Sequence, residues 1–254
     1  MDPTFLGVSI LAALVGASTA FRFGRRHGRS WGEMLLLLAM AGIAAVLGGH
    51  LFAVVAYKPA AFAEHPFAYL FDLSNGLSLA GALFFFFLQG VEFSRLRRQA
   101  PAPNLDLLAV GAAPSVVVSR LYCWSQGDHP GLRYQGFPAI EYPDGLRLDL
   151  GMLEALWGLI LCMLLWRLAS RLRPGGLAFV FVWGYAAGRL ILDSLRIEAD
   201  QLSSLQARGW IGQADPRYGG LTPAQWLAIV SLALSFWAWR RWRLAGRMQS
   251  QTGN

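Results

Sequence analysis

The stretch NLDLLAVGAAPSVVVSRLYCWSQGDHPG, Asn104–Gly131, decides the fold, because it is an apolar run that carries Arg120 close to its end. A helix through this run places a permanent positive charge near the boundary of a membrane, which costs a few kcal/mol. The guanidinium group cannot lose its proton in a protein. Arg120 therefore either reaches the surface along its apolar stem or binds an anion, a carboxylate or a phosphate, inside the protein.

The composition is that of a membrane protein. Of 254 residues, 55% are apolar and only 15% are charged, unlike an ordinary soluble domain. Seven apolar runs approach the ~20 residues that a helix needs to cross a bilayer. The first run lacks the basic leader of a cleaved signal peptide, so we expect it to be an uncleaved span. The predicted spans lie near 4–21, 34–57, 75–93, 105–123, 150–168, 176–194 and 221–239.

The cations predict how these spans are oriented. Fourteen arginines follow the first, third, fifth and seventh runs, whereas six cations interleaved with acids lie on the other side. The positive-inside rule then places the N-terminus outside and the C-terminus in the cytoplasm. We expect an all-α polytopic integral membrane protein, a single seven-span domain over 1–245 with a polar tail at 246–254 and a small extracytoplasmic loop region. Arginine clusters between apolar runs fit membrane topology and give no reason to expect a nucleic-acid partner.

The sixth span carries a polar stripe. Tyr185, Arg189, Asp193 and Arg196 are spaced by four, four and three residues, so a helix projects all of them from roughly one face. One interpretation is an internal ion pair between Arg189 and Asp193. The other is that Asp193 orients Arg189 while its planar fork binds an external anion.

The second span and the loop after Arg120 both contain a histidine. His50 and Tyr57 are seven residues apart, hence on one face of an α-helix. A histidine within a span is either a functional group or a neutral ring that is hydrogen-bonded to a neighbouring helix. Asp128 and His129 are adjacent in the loop, where the imidazole could act as a general base.

Two further features concern acids and thiols. Glu154 opens the fifth span, either as an acid favoured by the helix dipole or as a partner for an arginine. Cys123 and Cys162 match no metal-binding spacing, so we expect no metal and no cofactor. Both cysteines are interpreted as packing residues unless Cys123 lines the site.

The order of these motifs resembles the prolipoprotein diacylglyceryl transferase family, seven-span enzymes of the bacterial inner membrane. The similarity runs over nearly the whole chain. GGHLFAVVAY (48–57) is similar to the family's Gly-Gly-Arg segment ending in tyrosine, and GLSLAGA (76–82) to its Gly-Met-Ser-Phe-His-Gly-Gly segment. SRLYCWSQGD (119–128) resembles Gly-Arg-Ile-Gly-Asn-Phe, LDLGMLEA (148–155) resembles His-Pro-Ser-Gln-Leu-Tyr-Glu, and YAAGRLILDSLR (185–196) resembles Tyr-Gly-x-x-Arg-Phe-x-x-Glu-x-x-Arg.

The resemblance implies roles for individual residues. Arg120 and Arg189 match the family's phosphate-handling arginines. The matching substrate-site positions are Tyr57, Glu154, Tyr185, Asp193 and Arg196, and Asp128 replaces a glutamate. The chain also departs from the family: the catalytic histidine falls on Ala80, the signature asparagine falls on Cys123, His50 replaces an arginine, and the His-Pro pair falls near Leu148 and Asp149.

The reaction implied by the resemblance moves a diacylglyceryl group from phosphatidylglycerol to the lipobox cysteine of a prolipoprotein signal peptide and releases glycerol phosphate. Arg120 and Arg189 would stabilise the departing phosphate. His50 or His129 would replace the histidine missing at Ala80 as the base that forms the thiolate. The alternatives are a non-catalytic phospholipid-binding paralogue and a small membrane transporter, the latter lacking the expected inverted repeat.

Overall fold

The computed structural model describes residues 3–197, 199–210 and 214–251. Within these ranges the chain is mostly helical, with one small antiparallel sheet. The helices are α1 (Pro3–Arg26), α2 (Trp31–Phe52), α3 (Pro59–Glu64), α4 (Pro66–Phe71), α5 (Leu79–Leu96), α6 (Pro101–Gln126), α7 (Leu150–Leu168), α8 (Gly176–Asp193), α9 (Ala199–Gln206) and α10 (Pro223–Gln251). The strands are β1 (Pro130–Arg133), β2 (Ile140–Tyr142) and β3 (Gly145–Asp149).

Among the described residues, six helices are long and apolar enough to cross a membrane. They are α1, α2 with its continuation to Tyr57, α5, α6, α7 and α8, and they correspond to the first six predicted spans. Leu6, Ile10 and Leu14 on α1 are between 50% and 60% exposed, as expected for side chains that face lipid. The seventh predicted run lies in α10, which is not one of the six and whose second half is rich in arginine.

Polar side chains set where several of these helices begin. Ser30 accepts a hydrogen bond from the Glu33 amide, and Ser78 accepts one from the Gly81 amide, which gives α2 and α5 their N-caps. Asp149 caps α7 by accepting from the Met152 amide at 2.8 Å. Each cap satisfies an amide that the first helical turn leaves without an intrahelical partner.

The loop between α6 and α7 forms a sheet that the sequence analysis did not predict. Its strand order is β1–β3–β2, and both pairs are antiparallel. The strands have only three to five residues, too few to show a clear alternation of apolar and polar residues. Tyr142 packs with Ile197, Leu202 and Leu205 beside this sheet, so α9 and the strands share a small core.

Close helix contacts bring the polar ends of α6, α7 and α8 together. A Cβ on Gly151 would lie 2.7 Å from the Trp124 backbone nitrogen, so only glycine lets α7 approach the last turn of α6 this closely. Gly188 leaves room for Trp157, whose indole N–H donates to the Gly184 carbonyl at 2.9 Å. The close contact at these two glycines therefore lies within the chain, between α8 and α7.

Asp106, buried within α6, fixes the start of α8. Its carboxylate accepts hydrogen bonds from the backbone amides of Gly175 at 2.6 Å and Ala178 at 2.8 Å. A carboxylate is favoured at this place by the positive end of the helix dipole. The contact ties α8 to α6 at the end of the bundle opposite to Arg120 and Arg189.

Candidate active site

Glu154 of α7 is the centre of a buried charge cluster. Its Oε2 lies 2.7 Å from Arg120 Nε of α6, and its Oε1 lies 2.6 Å from Arg189 Nη1 of α8. Arg196 Nη2 lies 3.7 Å from Oε1. Glu154, Arg120 and Arg189 are each no more than 6% exposed. Arg120 therefore points into the bundle and does not extend to the surface, and Glu154 is an arginine partner.

A second carboxylate supports the cluster. Asp193 is fully buried, and its Oδ1 lies 3.2 Å from Arg189 Nη2 and 3.6 Å from Arg196 Nε. The predicted ion pair between Arg189 and Asp193 is confirmed. Because Glu154 contacts Nη1 of Arg189 and Asp193 contacts Nη2, the two carboxylates together hold the guanidinium in place.

His129 lies between two arginines. Its Nε2 is 3.1 Å from Arg120 Nη1 and 3.6 Å from Asp128 Oδ1, and its Nδ1 is 3.4 Å from Arg196 Nη1. Burial is the largest cause that holds the pKa of His129 well below its usual range, and the nearby Arg196 and Arg120 add to the effect. The ring is therefore neutral near pH 7.

Asp128 stands at the rim of the same group. Partial desolvation raises the pKa of its carboxyl to about 6, although 48% of the side chain remains exposed, and Arg120 opposes the shift. Arg120 Nη1 also lies 3.8 Å from Cys123 Sγ. Among the described residues, Cys123, Asp128 and His129 are the three potential metal ligands that come together, with their ligand atoms within 4.8 Å of one another.

These groups line a cavity of about 450 Å³. Arg120, Arg189 and Arg196 contribute guanidinium groups to its wall, and Tyr57 and Lys58 border it from the end of α2. Its other walls are apolar side chains of α1, α2 and α5. The cavity also reaches Ala80, near the N-terminus of α5. An anion in this cavity would meet three permanent positive charges; their partners Glu154 and Asp193 do not line the cavity, whereas Asp215 does.

The structure places His50 away from this cavity. His50 Nδ1 lies 3.0 Å from the Gly76 carbonyl oxygen, and its Nε2 lies 2.9 Å from the Tyr69 carbonyl oxygen. The ring is 2% exposed and is not part of the cavity wall. His50 thus holds the loop between α2 and α5. The Tyr69 carbonyl belongs to the short helix α4 and the Gly76 carbonyl to a loop, so the expected bond to a neighbouring helix is present together with one to loop backbone.

The prediction that His50 and Tyr57 share a face is wrong. A π-helical turn, Ala53–Tyr57, continues α2 and separates the two residues. A π-turn adds a residue to each hydrogen-bonded ring, so the spacing rule for an α-helix no longer applies. As a result, Tyr57 lines the cavity and His50 does not.

Tyr185 lies behind the cluster. Its ring stacks on Phe181 at a centroid distance of 6.0 Å, and its buried hydroxyl has no hydrogen-bond partner among the described residues. Tyr185 lines a second, apolar cavity of about 320 Å³ between α5, α8 and α10, and Ala80 lines this cavity too. Small Ala80 is thus common to the polar and the apolar cavity.

Sequence reasoning missed two residues of the cluster. Asp215 Oδ2 lies 3.2 Å from Arg196 Nη1, and Thr222 Oγ1 donates to Asp193 Oδ2 at 2.7 Å. Thr222 also begins α10 with a capping box, because its amide donates to Gln225 Oε1 and its Oγ1 accepts from the Gln225 amide. The signal in the sequence was Thr-Pro-Ala-Gln at 222–225. Asp215 gave no comparable signal.

The fold and the cluster define a class: a polytopic helical membrane protein whose buried arginines and carboxylates border a cavity suited to an anionic group. A family model described as prolipoprotein diacylglyceryl transferase matches residues 5–241. The chain belongs to the prolipoprotein diacylglyceryl transferase family.

Individual relatives carry the same description. The chain is similar to proteins named phosphatidylglycerol–prolipoprotein diacylglyceryl transferase in three bacteria. The Allorhizobium ampelinum protein is 31% identical over 85% of this chain and 74% of its own length. The Cereibacter sphaeroides protein is 26% identical over 91% and 84%, and the Bordetella parapertussis protein is 28% identical over 90% of each.

Proposed function

We propose that the chain transfers a diacylglyceryl group from phosphatidylglycerol to the thiol of a prolipoprotein, with the head-group phosphate bound in the arginine-lined cavity. The observation that carries the proposal is the pair Arg120 and Arg189, both held by Glu154 and both facing the same cavity. Family membership supports the transferase and does not favour the non-catalytic lipid-binding alternative or a transporter.

The arginines act on the leaving group. As the bond between the glyceryl carbon and the phosphate oxygen breaks, negative charge grows on the departing glycerol phosphate. Guanidinium groups that are already fixed by Glu154 and Asp193 stabilise this charge without first having to reorganise. Arg196 would add a third positive charge, and Tyr57, which also lines the cavity, would donate from its hydroxyl to the head group.

The acceptor thiol must lose its proton, because the thiolate is the nucleophile. Ala80 supplies no side chain for this step. Between the two histidines considered from sequence, His129 lies on the cavity wall and His50 does not. We therefore assign the handling of the thiol proton to the group formed by His129, Asp128 and Cys123.

The membrane arrangement follows from the same proposal. The six apolar helices together with α10 give seven spans, with the N-terminus outside and the C-terminus in the cytoplasm, in one domain over 1–245 of the bacterial inner membrane. The arginine clusters after α1, α5, α7 and within α10 support this orientation. The cavity then opens toward the outer face, where a signal-peptide helix and lipid can enter from the bilayer.

The test is direct transfer. Purified protein receives head-group-labelled phosphatidylglycerol and a lipobox peptide, and both lipidated peptide and released glycerol phosphate are followed. We expect equal amounts of the two products from the native protein and none above background from Arg120→Ala or Arg189→Ala. Arg22→Ala, at an exposed arginine on α1, is the matched control and should retain activity. Arginine-dependent lipid binding without either product would establish the lipid-binding alternative instead.

A further inference from the structure

The surroundings of His129 decide when the acceptor thiol can lose its proton. His129 lies on the cavity wall, whereas Ala80 has no side chain that binds a proton and both ring nitrogens of His50 face backbone carbonyl oxygens. A thiol is a weak nucleophile until it becomes a thiolate. The contacts of the His129 ring therefore bear directly on the proposed transfer.

Both ring nitrogens of His129 face guanidinium groups. Nε2 lies 3.1 Å from Arg120 Nη1, and Nδ1 lies 3.4 Å from Arg196 Nη1. A neutral imidazole has one N–H donor and one acceptor nitrogen, whereas a guanidinium nitrogen only donates. One of the two contacts therefore brings two donors together, and the acceptor nitrogen of the ring is occupied by an arginine. The same contacts do not fit a divalent metal ion beside this ring, because cations already face it.

Arg120 is held firmly at one nitrogen and weakly at another. Its Nε lies 2.7 Å from the carboxylate oxygen Oε2 of Glu154. Its Nη1 has only the imidazole at 3.1 Å and the Cys123 sulfur at 3.8 Å as contacts among the described residues. A charged phosphate oxygen is a stronger acceptor for a guanidinium N–H than a neutral ring or thiol. An anion in the cavity would therefore bind Nη1 while Glu154 keeps Nε in place.

The charge of the lipid acts on His129 in the same direction. Burial is the largest cause that holds the pKa of His129 well below its usual range, and the positive charges of Arg196, Arg120 and Arg189 add to it. A phosphodiester brings one negative charge, which favours a protonated imidazole. Lipid binding therefore raises the pKa of His129. Without lipid, the cations of the described cavity wall and the carboxylates are equal in number: Arg120, Arg189, Arg196 and Lys58 against Glu154, Asp193, Asp215 and Asp128.

We propose that the phosphate of the bound lipid activates His129 as the base; this inference rests on the proposed transferase function. By accepting a hydrogen bond from Arg120 Nη1, the phosphate frees His129 Nε2 to remove the proton of the acceptor thiol. The thiolate then forms only when the diacylglyceryl donor is already in the cavity. Transfer is therefore ordered, because lipid must bind before the thiol becomes reactive.

The atoms of this step balance. The S–H bond of the acceptor breaks as its proton moves to His129 Nε2. A sulfur lone pair attacks the glyceryl carbon that bears the phosphate oxygen, and the carbon–oxygen bond breaks as the carbon–sulfur bond forms. The electron pair of the broken bond stays on the phosphate held by Arg120 and Arg189. The proton leaves His129 for water through Asp128, whose Oδ1 lies 3.6 Å from Nε2 and whose pKa desolvation raises to about 6.

The first experiment titrates the histidines of the full native chain in detergent, by NMR of ring-labelled protein. The chain has four histidines, and the signal that is lost in His129→Gln identifies the ring. Dioctanoyl phosphatidylglycerol should raise the pKa of His129 by about one pH unit or more. Dioctanoylglycerol, which has the same chains and no phosphate, should leave it unchanged. A pKa of His129 that is the same with and without phosphatidylglycerol overturns the inference.

Activity supplies the second readout. His129→Gln should lower the single-turnover rate at saturating lipid and peptide by about 100-fold, as expected for loss of a general base. His27→Gln, at an exposed histidine just after α1, is the matched control and should keep the native rate. A lipobox peptide with selenocysteine needs no base, because a selenol is ionised at neutral pH, so His129→Gln should transfer lipid to it at nearly the native rate. An equal loss with both peptides would mean that His129 supports only the fold.

The two proposals fail separately. Native-rate transfer to the cysteine peptide by His129→Gln would leave the transferase function intact and remove His129 as the base. A native protein that binds phosphatidylglycerol with a rise in the pKa of His129, yet never releases glycerol phosphate, would overturn the transferase function and the role of the base with it.

Discussion

Asp144 and Glu154 each lie between arginines, and the two carboxylates are used differently. Asp144, beside the sheet, accepts from Arg147 Nε at 2.8 Å and Nη2 at 2.7 Å, while Arg147 Nη1 donates to the Gly131 carbonyl oxygen. Every donor nitrogen of Arg147 is thus occupied. Glu154 pairs with Arg120 and Arg189, yet both arginines also border a cavity, and Arg189 Nε is buried without a hydrogen-bond partner among the described residues.

The difference separates structural from functional use of the same chemistry. A buried arginine whose donors are all occupied has no capacity left for a ligand, so the Asp144 pair stabilises the fold. We infer that a buried arginine that lines a cavity and has an unpaired donor is held in a geometry that a ligand completes. We refer to these as the closed pair around Asp144 and the open cluster around Glu154. The following predictions test that distinction.

Removal of Arg147 should give the largest effect on stability. Arg147→Met keeps the length of the side chain and leaves Asp144 as a buried charge, with Ser204 and the exposed Arg133 as its remaining partners among the described residues. Breaking a buried pair costs about 3–5 kcal/mol. Thermal unfolding in detergent, with and without phosphatidylglycerol, measures this loss of stability. We expect that the lipid does not restore the lost stability. Restoration by lipid would show that the closed pair also belongs to the binding site.

Arg189→Lys should give the largest effect on activity. Lysine keeps the charge but carries its three donors on a single nitrogen in place of a planar fork, so it cannot span Glu154, Asp193 and a phosphate together. Loss of one preorganised donor lowers the rate by about 10²–10³-fold. Single-turnover transfer measures the rate, and unfolding should show that the variant is folded. A rate near that of the native protein would mean that Arg189 serves the fold alone, as Arg147 does.

Contacts within one helix were readable from the sequence. The Arg189–Asp193 pair follows from a spacing of four on α8, and the span at 150–168 coincides with α7 because its apolar run is uninterrupted. The resemblance also predicted a site role for Arg120 and Glu154, and the structure pairs these two residues. Their pairing depends on how closely α7 approaches α6 at Gly151, which is a property of tertiary packing and cannot be read from either segment alone.

Three other parts of the site could not be predicted, because each depends on irregular backbone that the sequence does not reveal. The π-helical turn before Tyr57 breaks the register on which the His50 expectation depended. The convergence of Cys123 with Asp128 and His129 depends on the left-handed turn at Gly127, and the two cysteines have no metal-binding spacing. Asp215 reaches Arg196 from a loop, where no periodicity constrains the chain.

Lowering the pH below about 4 should reduce the stability that the closed pair contributes. Hydrogen bonds from Arg147 are the main cause that holds the pKa of Asp144 well below its ordinary value, so the folded state binds this proton less readily than the unfolded chain. The carboxylate therefore contributes stability that is fully present above its unfolded pKa of about 3.9 and is lost as the pH falls toward the folded pKa. Unfolding followed from about pH 5 to about pH 2, across the unfolded pKa, should show this loss, and Asp144→Asn should show a smaller slope. Equal slopes would exclude Asp144 as the source.

Thr222→Val should give the smallest effect. This change in the open cluster should lower both stability and activity. The change keeps the shape of the side chain but removes the hydroxyl that donates to Asp193 and accepts from the Gln225 amide. An unsatisfied buried acceptor costs about 1–3 kcal/mol. Because Asp193 holds Arg189, the transfer rate should fall along with the unfolding temperature, and Thr222→Ser, which keeps the hydroxyl, should restore both. If the variant is less stable but transfers lipid at an unchanged rate at low temperature, Asp193 holds Arg189 without the Thr222 hydroxyl. Thr222 would then not belong to the open cluster.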